Sequence, residues 1–379
     1  MMHILDTDAP EDAVHALSML LPALSALGVR QQVAVIGAKP AGLAIPSPVP
    51  SHHLPARSGL PWASWRRFER LLRGCGPEVI HAWSARSLTR TAAVWGGRVP
   101  LIVTAADKIE ADHIHDWWRT GHSGRFRVVC GGPSIRRHLL DRWQMPAHLA
   151  VFIAPGIGIS DSSPSARRAL RERLALPESA VVLATASPPS RPGGQFQAVW
   201  AAGILRQVWP DVHLVVPGRS REQARIRRLI NTIYCPEVFT LVGESLSPAE
   251  VLALADCLVF PAKGDVGSLW PAWAMAAGVS VFASAISPAA DWIIHQRTGF
   301  LCPSGTPHAL ASLIHETLRS HETVSSCVAT AQRQARRVFD LPRCAESHLA
   351  LYRHLATGGD VPLPRAVAQA ADECCMLDE

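Results

Sequence analysis

A chain of 379 residues is too long for one hydrophobic core, and at 48% hydrophobic it holds enough apolar material for two. Charged residues make up 18%, with no long single-sign run or low-complexity tract, which argues against disorder except at the ends. The formal net charge is +6 and the basic residues are nearly all scattered Arg, so nucleic acid is not an expected partner, while phosphate-bearing ligands and anionic membrane surfaces both suit the balance.

The chain opens with MMHIL, a short strand, then DTDAPEDA, a turn with helix-start chemistry. Asp6 or Asp8 is expected to cap the helix, Pro10 suits its first turn, and Glu11 and Asp12 suit the positive end of its dipole. AVHALSMLLPALSALG has helical spacing and stops at Gly28; QQVAVIG is the next strand, and the βαβ order implies a parallel sheet. Residues 45–62 carry five Pro and read as a loop. The following helix, WASWRRFERLLRG, sets Trp62, Trp65, Phe68, Leu71 and Leu72 on one face and Arg on the other, which suits packing on a sheet or docking at a membrane interface.

PEVIHAWSA, PLIVTAAD and RFRVVCGG are three more strands; PSIRRHLLDRW is a helix and AHLAVFIAPG a strand. After SDSSPSARRALRERLAL the pattern restarts: SAVVLATAS, a helix over 194–207, DVHLVVPG, EVFTLVGE, DCLVFPA and VSVFASA, with TPHALASLIHETLRS a helix. SPAEVLALA begins at a capping box, with Ser247 as cap, Pro248 first and Glu250 third. These are two βα-repeating halves: an N-terminal Rossmann-like domain over 1–160, a second over 161–340, a closing helix over 341–357 and a tail over 358–379. Parallel sheets place ligands at the carboxyl ends of their strands, and two facing halves would leave a cleft between them.

Nine Cys form no CxxC or His/Cys ligand pattern, which suits reduced thiols in a cytoplasmic protein. No apolar run reaches the ~18 residues of a spanning helix, and no signal-peptide pattern opens the chain. His113 and His115 lie two apart beside Asp112 and Asp116 and would not face one another on a helix, so neither a metal nor a cofactor is expected.

Several of these stretches, in order, resemble the family-4 glycosyltransferases: PEVIHAWSARS, RVVCGGPSIRRHLL, AVFIAPGIGIS, AAGVSVFASAISPAADWIIHQRTGFLCP and FDLPRCAESHLALYRHL. The resemblance runs over about residues 2–357 and implies the GT-B fold, an α/β architecture of two Rossmann-like parallel-sheet domains. It implies transfer of a sugar from a nucleotide-diphosphate sugar to a glycan or lipid-linked acceptor, with retention. The first domain would meet the acceptor and the second the donor.

The family's cationic pair at the first turn of the second domain falls at Ser187 and Pro192, neither of them charged. Arg191 is adjacent, in a turn with Gly193 and Gly194 whose N–H groups can face a phosphate. The family's Glu-x7-Glu motif falls on DVGSLWPAW: Asp265 keeps a carboxylate, whereas Trp273 stands where a Glu would hold the ribose, and an indole only donates. Val266, Gly267 and Ser268 form a turn whose N–H groups open the next helix. Thr298 and Gly299 match the family, and Asp291 replaces a common Glu. In the first half a Gly-Gly loop becomes Glu11–Asp12, which repels a diphosphate, and a common His becomes Ala106. His81 survives at a strand end and Trp83 replaces its partner.

The resemblance thus assigns Asp265 and His81 to catalysis. It assigns Arg191, Gly193, Gly194, Val266, Gly267, Ser268 and Thr298 to the donor. For His81 a structural role stands beside the functional one. The altered polar positions leave a second reading open, a catalytically inactive descendant acting as a binding or partner subunit in glycan assembly. A dinucleotide oxidoreductase is disfavoured because no GxGxxG follows the first strand.

Overall fold

Strand β1 (Met2–Asp6), helix α1 (Glu11–Ala26) and strand β2 (Gln32–Ile36) form the opening βαβ unit. They belong to a computed structural model that describes residues 1–40, 42–54, 61–95, 99–119, 125–158, 163–186, 189–218, 220–233, 235–243, 246–264, 269–285, 288–303 and 306–358. The chain divides into two units, residues 1–158 with 339–379, and residues 159–338.

Unit 1 continues with β3 (Ser51–Leu54), α2 (Pro61–Cys75), β4 (Ile80–Ala82), α3 (Ala85–Trp95), β5 (Leu101–Ala105), α4 (Lys108–Arg119) and β6 (Phe126–Cys130). Then come α5 (Pro133–Arg137), a π turn over His138–Arg142, and β7 (Ala150–Phe152). The strands pair in parallel in the order β3-β2-β1-β4-β5-β6-β7. Growth of the sheet reverses between β1 and β4. Leu17, Leu20, Leu21 and Leu24 of α1 are buried against the sheet, each contributing about 1.5–3 kcal/mol by leaving water. Phe68 and Leu72 of α2, one helical turn apart, pack on Met2, Ile4 and Ile80.

The structure corrects the sequence reading at four places in this unit. The proline-rich segment contains β3; it is an edge strand, where flanking Pro residues cost no ladder bond, and Val33 N donates to Pro50 O at 2.9 Å. Neither Asp6 nor Asp8 caps α1: Pro10 holds the N-cap position, and Asp6 Oδ1 instead accepts from Asp8 N at 2.9 Å. The helix after β6 gives way to a π turn at His138. Trp65 lies outside the buried stripe of α2 and is 43% exposed.

Unit 2 holds α6 (Pro164–Arg173), β8 (Val181–Thr185), α7 (Gln195–Arg206), β9 (Val212–Pro217), α8 (Gln223–Ile233) and β10 (Phe239–Val242). It continues with α9 (Pro248–Leu254), β11 (Cys257–Phe260), α10 (Leu269–Ala277), β12 (Ser280–Ser284), β13 (Phe300–Cys302), α11 (Pro307–Leu318) and α12 (His321–Val338). Its sheet is also parallel, in the order β10-β9-β8-β11-β12-β13, and reverses between β8 and β11. Ser247 and Glu250 form the full capping box of α9. Asp256 anchors α6 to the sheet: it takes Arg167, Arg171 at 2.8 Å and the Val182 amide at 2.7 Å.

The last helix, α13 (Leu341–Ala356), belongs to unit 1 although its sequence follows unit 2. The Asp340 carboxylate caps it by accepting from Arg343 N at 2.7 Å. Leu351, Tyr352 and Leu355 join the same core cluster as α1. A Cβ at Gly156 would stand 2.9 Å from Leu341 Cα, a backbone atom, so glycine permits this close approach of α13. No helix among the described residues is long and apolar enough to cross a membrane.

Candidate functional site

In an open parallel sheet the strand order reverses at one point, and the loops leaving the neighbouring strands there diverge to opposite faces. The crevice they leave lies at the carboxyl ends of those strands. Unit 2 has this point between β8 and β11.

The loop after β8 ends at Gly193–Gly194 and opens α7. Gly194 has φ +81°, and a Cβ there would meet Pro261 O at 2.1 Å, so the turn requires glycine for both its backbone angle and the close approach. Ser190 Oγ accepts from Gly193 N at 3.0 Å, and the Gln195 amide accepts from Ser190 N at 3.1 Å while donating to Ala186 O at 3.0 Å. These bonds fix the turn from within, and they correct the sequence reading in one respect: the Gly193 N–H is committed to Ser190 rather than open to a phosphate. The first turn of α7 has no side-chain cap, because its N-cap is glycine. Its N–H groups carry the positive end of the helix dipole.

The loop after β11 runs against this turn. Lys263 N donates to Pro192 O at 2.7 Å. With the Gln197 amide turned so that its nitrogen donates to Gly194 O at 3.1 Å, its oxygen accepts from Lys263 Nζ at 2.7 Å. Thr185 ends β8 and is 1% exposed. Its hydroxyl has no hydrogen-bond partner among the described residues.

Gly193 and Gly194 therefore stand at the switch point. Arg191 is 69% exposed at its side chain, and its Nε lies 3.7 Å from Glu222 Oε1, a carboxylate that also accepts from Arg225 at 3.0 Å. Its charge is partly compensated. Thr298 is buried and its hydroxyl accepts from Ile294 N at 2.9 Å, closing a local turn. Trp273 packs edge-to-face on Trp270, with centroids 5.6 Å apart, on α10. Asp265, Val266, Gly267 and Ser268 lie outside the described residues. Lys263, Gln197 and Thr185 were not singled out from sequence: none belongs to a local motif, and only the pairing of β8 with β11 brings them to one place.

Unit 1 has its switch point between β1 and β4, and it is built differently. Asp6 Oδ2 accepts from Ser84 Oγ at 2.8 Å, and Arg86 pairs with Asp8. A Glu110 oxygen accepts from Ala85 N at the first turn of α3, so an internal carboxylate already occupies the place where an external anion would bind. Burial raises the pKa of both Asp6 and Glu110. Asp6 and Glu110 thus add two carboxyl groups at this loop end.

His81 lies inside unit 1. It is fully buried, its Nδ1 bonds Tyr352 Oη at 2.9 Å and its Nε2 bonds Thr104 Oγ1 at 2.8 Å. It stacks on Trp83 at 4.4 Å, and the Trp83 indole donates to His3 Nδ1 at 3.2 Å. Burial lowers the pKa of His81 well below its usual value, with the charges of His348 and His3 adding to the effect. The geometry is that of a satisfied interior histidine joining β4 to α13, the structural one of the two roles that the sequence left open. Between α3 and α4, Arg86, Thr89, Ala93, His113, Asp116 and Trp117 line a groove of about 590 Å³.

Residues 14–161 match the model of Glycosyltransferase Family 4 and residues 167–334 that of Glycosyl transferases group 1. No curated protein matches the chain in sequence. Among solved structures it is similar to Anabaena HepE in complex with UDP and glucose, at TM-score 0.77 and 16% identity over 92% of this chain and 98% of that one. It is also similar to sucrose-phosphate synthase from Thermosynechococcus elongatus, at TM-score 0.77 and 19% identity over 94% and 100%. A glycosyltransferase from Rickettsia africae gives TM-score 0.76 at 14% identity over 93% and 98%. With a family model on each parallel-sheet unit and neighbours of the same architecture across nearly its whole described length, the chain belongs to the family-4 glycosyltransferases and has the GT-B fold.

Proposed function

We propose that this glycosyltransferase moves a sugar from a nucleoside-diphosphate sugar to an acceptor with retention at the anomeric carbon, holding the donor diphosphate at the switch point of unit 2. The observation that carries the reading is the uncapped first turn of α7 beside the Gly193–Gly194 turn. Departure of a nucleoside diphosphate builds negative charge on its phosphate oxygens, and fixed amide dipoles stabilise that charge without reorganising. HepE, a structural relative, is described in complex with UDP-glucose, which makes a uridine donor the first to test.

The acceptor belongs to unit 1 in this reading. The groove between α3 and α4 offers an indole, Trp117, with charged Arg86 and Asp116 at its rim, a combination suited to a sugar ring and its hydroxyls. Exposed Trp65, Arg66, Arg67, Arg70 and Arg73 on α2 favour peripheral contact with an anionic membrane at its cytoplasmic face. Vesicles containing anionic lipid should therefore co-sediment the chain more than neutral ones, and equal binding to both would remove this part.

The test of transfer is release of nucleoside diphosphate from UDP-, GDP- and ADP-sugars by purified protein, with the anomeric configuration of the product read by NMR. Acceptor-dependent release with an unchanged anomeric configuration is expected. Binding of nucleotide without turnover in any acceptor mixture would favour the inactive descendant, a reading motivated by Trp273 at the ribose position.

A further inference from the structure

The charge that the first turn of unit 2 lacks, with Ser187 and Pro192 where the family carries cations, is supplied from another strand. We infer that Lys263, held by Gln197, is the cation that binds the donor diphosphate, with the Thr185 hydroxyl as a second, neutral contact. The inference rests on the donor site proposed above.

Three observations converge on it. Lys263 is one of only three lysines in the chain, at positions 39, 108 and 263. Its backbone is tied to Pro192 at 2.7 Å, and its ammonium lies 2.7 Å from the Gln197 amide oxygen on the first turn of α7. A neutral amide orients an ammonium without cancelling its charge, unlike the Glu222 carboxylate that meets Arg191. The ammonium has three donors, so one bond to Gln197 leaves two for phosphate oxygens. Lys263 is exposed, so an incoming anion can reach it.

The second observation is Thr185. Its side chain shares the sheet face of Leu183, a residue of the core cluster that includes α7, and of Val181, which packs against that cluster. Thr185 is the last residue of β8, the strand whose following loop leads into α7. Its hydroxyl is buried with no partner among the described residues. The third is Gly194. Its positive φ and its missing Cβ, which would stand 2.1 Å from Pro261 O, let the β11 loop pack against the α7 turn, where the Lys263 backbone bonds Pro192.

The test is calorimetric titration of the full chain with UDP, GDP and ADP, each against its nucleoside and monophosphate. Lys263→Ala should weaken the diphosphate that binds best by about tenfold or more and flatten the salt dependence of binding, while Lys263→Arg restores part of both. Thr185→Val, nearly the same size, should weaken diphosphate binding while leaving the melting temperature unchanged or higher. Arg191→Ala should weaken binding less than Lys263→Ala does, because Glu222 partly compensates its charge. Unchanged affinity and salt dependence in Lys263→Ala, with the loss falling on Arg191→Ala, would overturn the inference and leave the donor site standing. If the unaltered chain binds none of the nucleotides, both fail together.

Discussion

Acid should unfold unit 1 early, and the cause is a cluster of interior histidines. Burial lowers the pKa of His3 to about 3 and that of His348 to about 4, and holds His81 well below its usual value. His3 is also satisfied as a neutral ring, between Gln31 Oε1 at 3.2 Å and the Trp83 indole at 3.2 Å. Because the folded pKa lies below the unfolded one, the unfolded chain takes up protons first as pH falls. Stability is then complete above about 6.5 and is lost from there down to the folded values. Between pH 7 and pH 5 His3 and His348 each cost about 2 kcal/mol and together remove about 4 kcal/mol. Domains have only about 5–15 kcal/mol to lose. Asp6 and Glu110, raised by burial, act in the opposite sense and gain stability as pH falls through their folded pKa values. Urea unfolding at the two pH values, followed by tryptophan fluorescence and far-UV circular dichroism, measures the difference. The double variant His3→Gln, His348→Gln should shrink it by about 4 kcal/mol whatever its stability at neutral pH. An unchanged pH dependence in that variant would refute the reasoning.

Two further perturbations read the packing directly. Tyr352→Phe removes the hydroxyl that bonds His81 Nδ1 at 2.9 Å and should cost about 1–3 kcal/mol in urea unfolding, because it leaves a buried ring nitrogen without a partner. Gly194→Ala combines a positive φ with overlap at Pro261 O and should destabilise unit 2 by about 2–4 kcal/mol, read as an earlier melting transition.

The strands were legible because parallel strands buried on both faces read as continuous apolar runs, as in VVLAT at β8 and CLVF at β11. The capping box at Ser247 was legible because its chemistry spans only one helical turn. β3 was hidden by its prolines, which an edge strand tolerates. The fate of His81 could not be read from its neighbours in sequence: its partner Tyr352 lies 271 residues away on α13. The glycine turn before α7 was visible as a motif, whereas Lys263 was one lysine in a loop until the β8–β11 pairing carried it to Gln197. Short-range patterns reveal elements; a site assembled from two strand ends and a helix start depends on sheet order.

The most direct measurement of the central claim is a crystal structure of the full chain with a bound nucleoside diphosphate. The account predicts phosphate density at the first turn of α7, within hydrogen-bond distance of its N–H groups and of Lys263 Nζ. Phosphates seated elsewhere in unit 2, with Lys263 turned away from them, or a nucleotide held by unit 1, would contradict it.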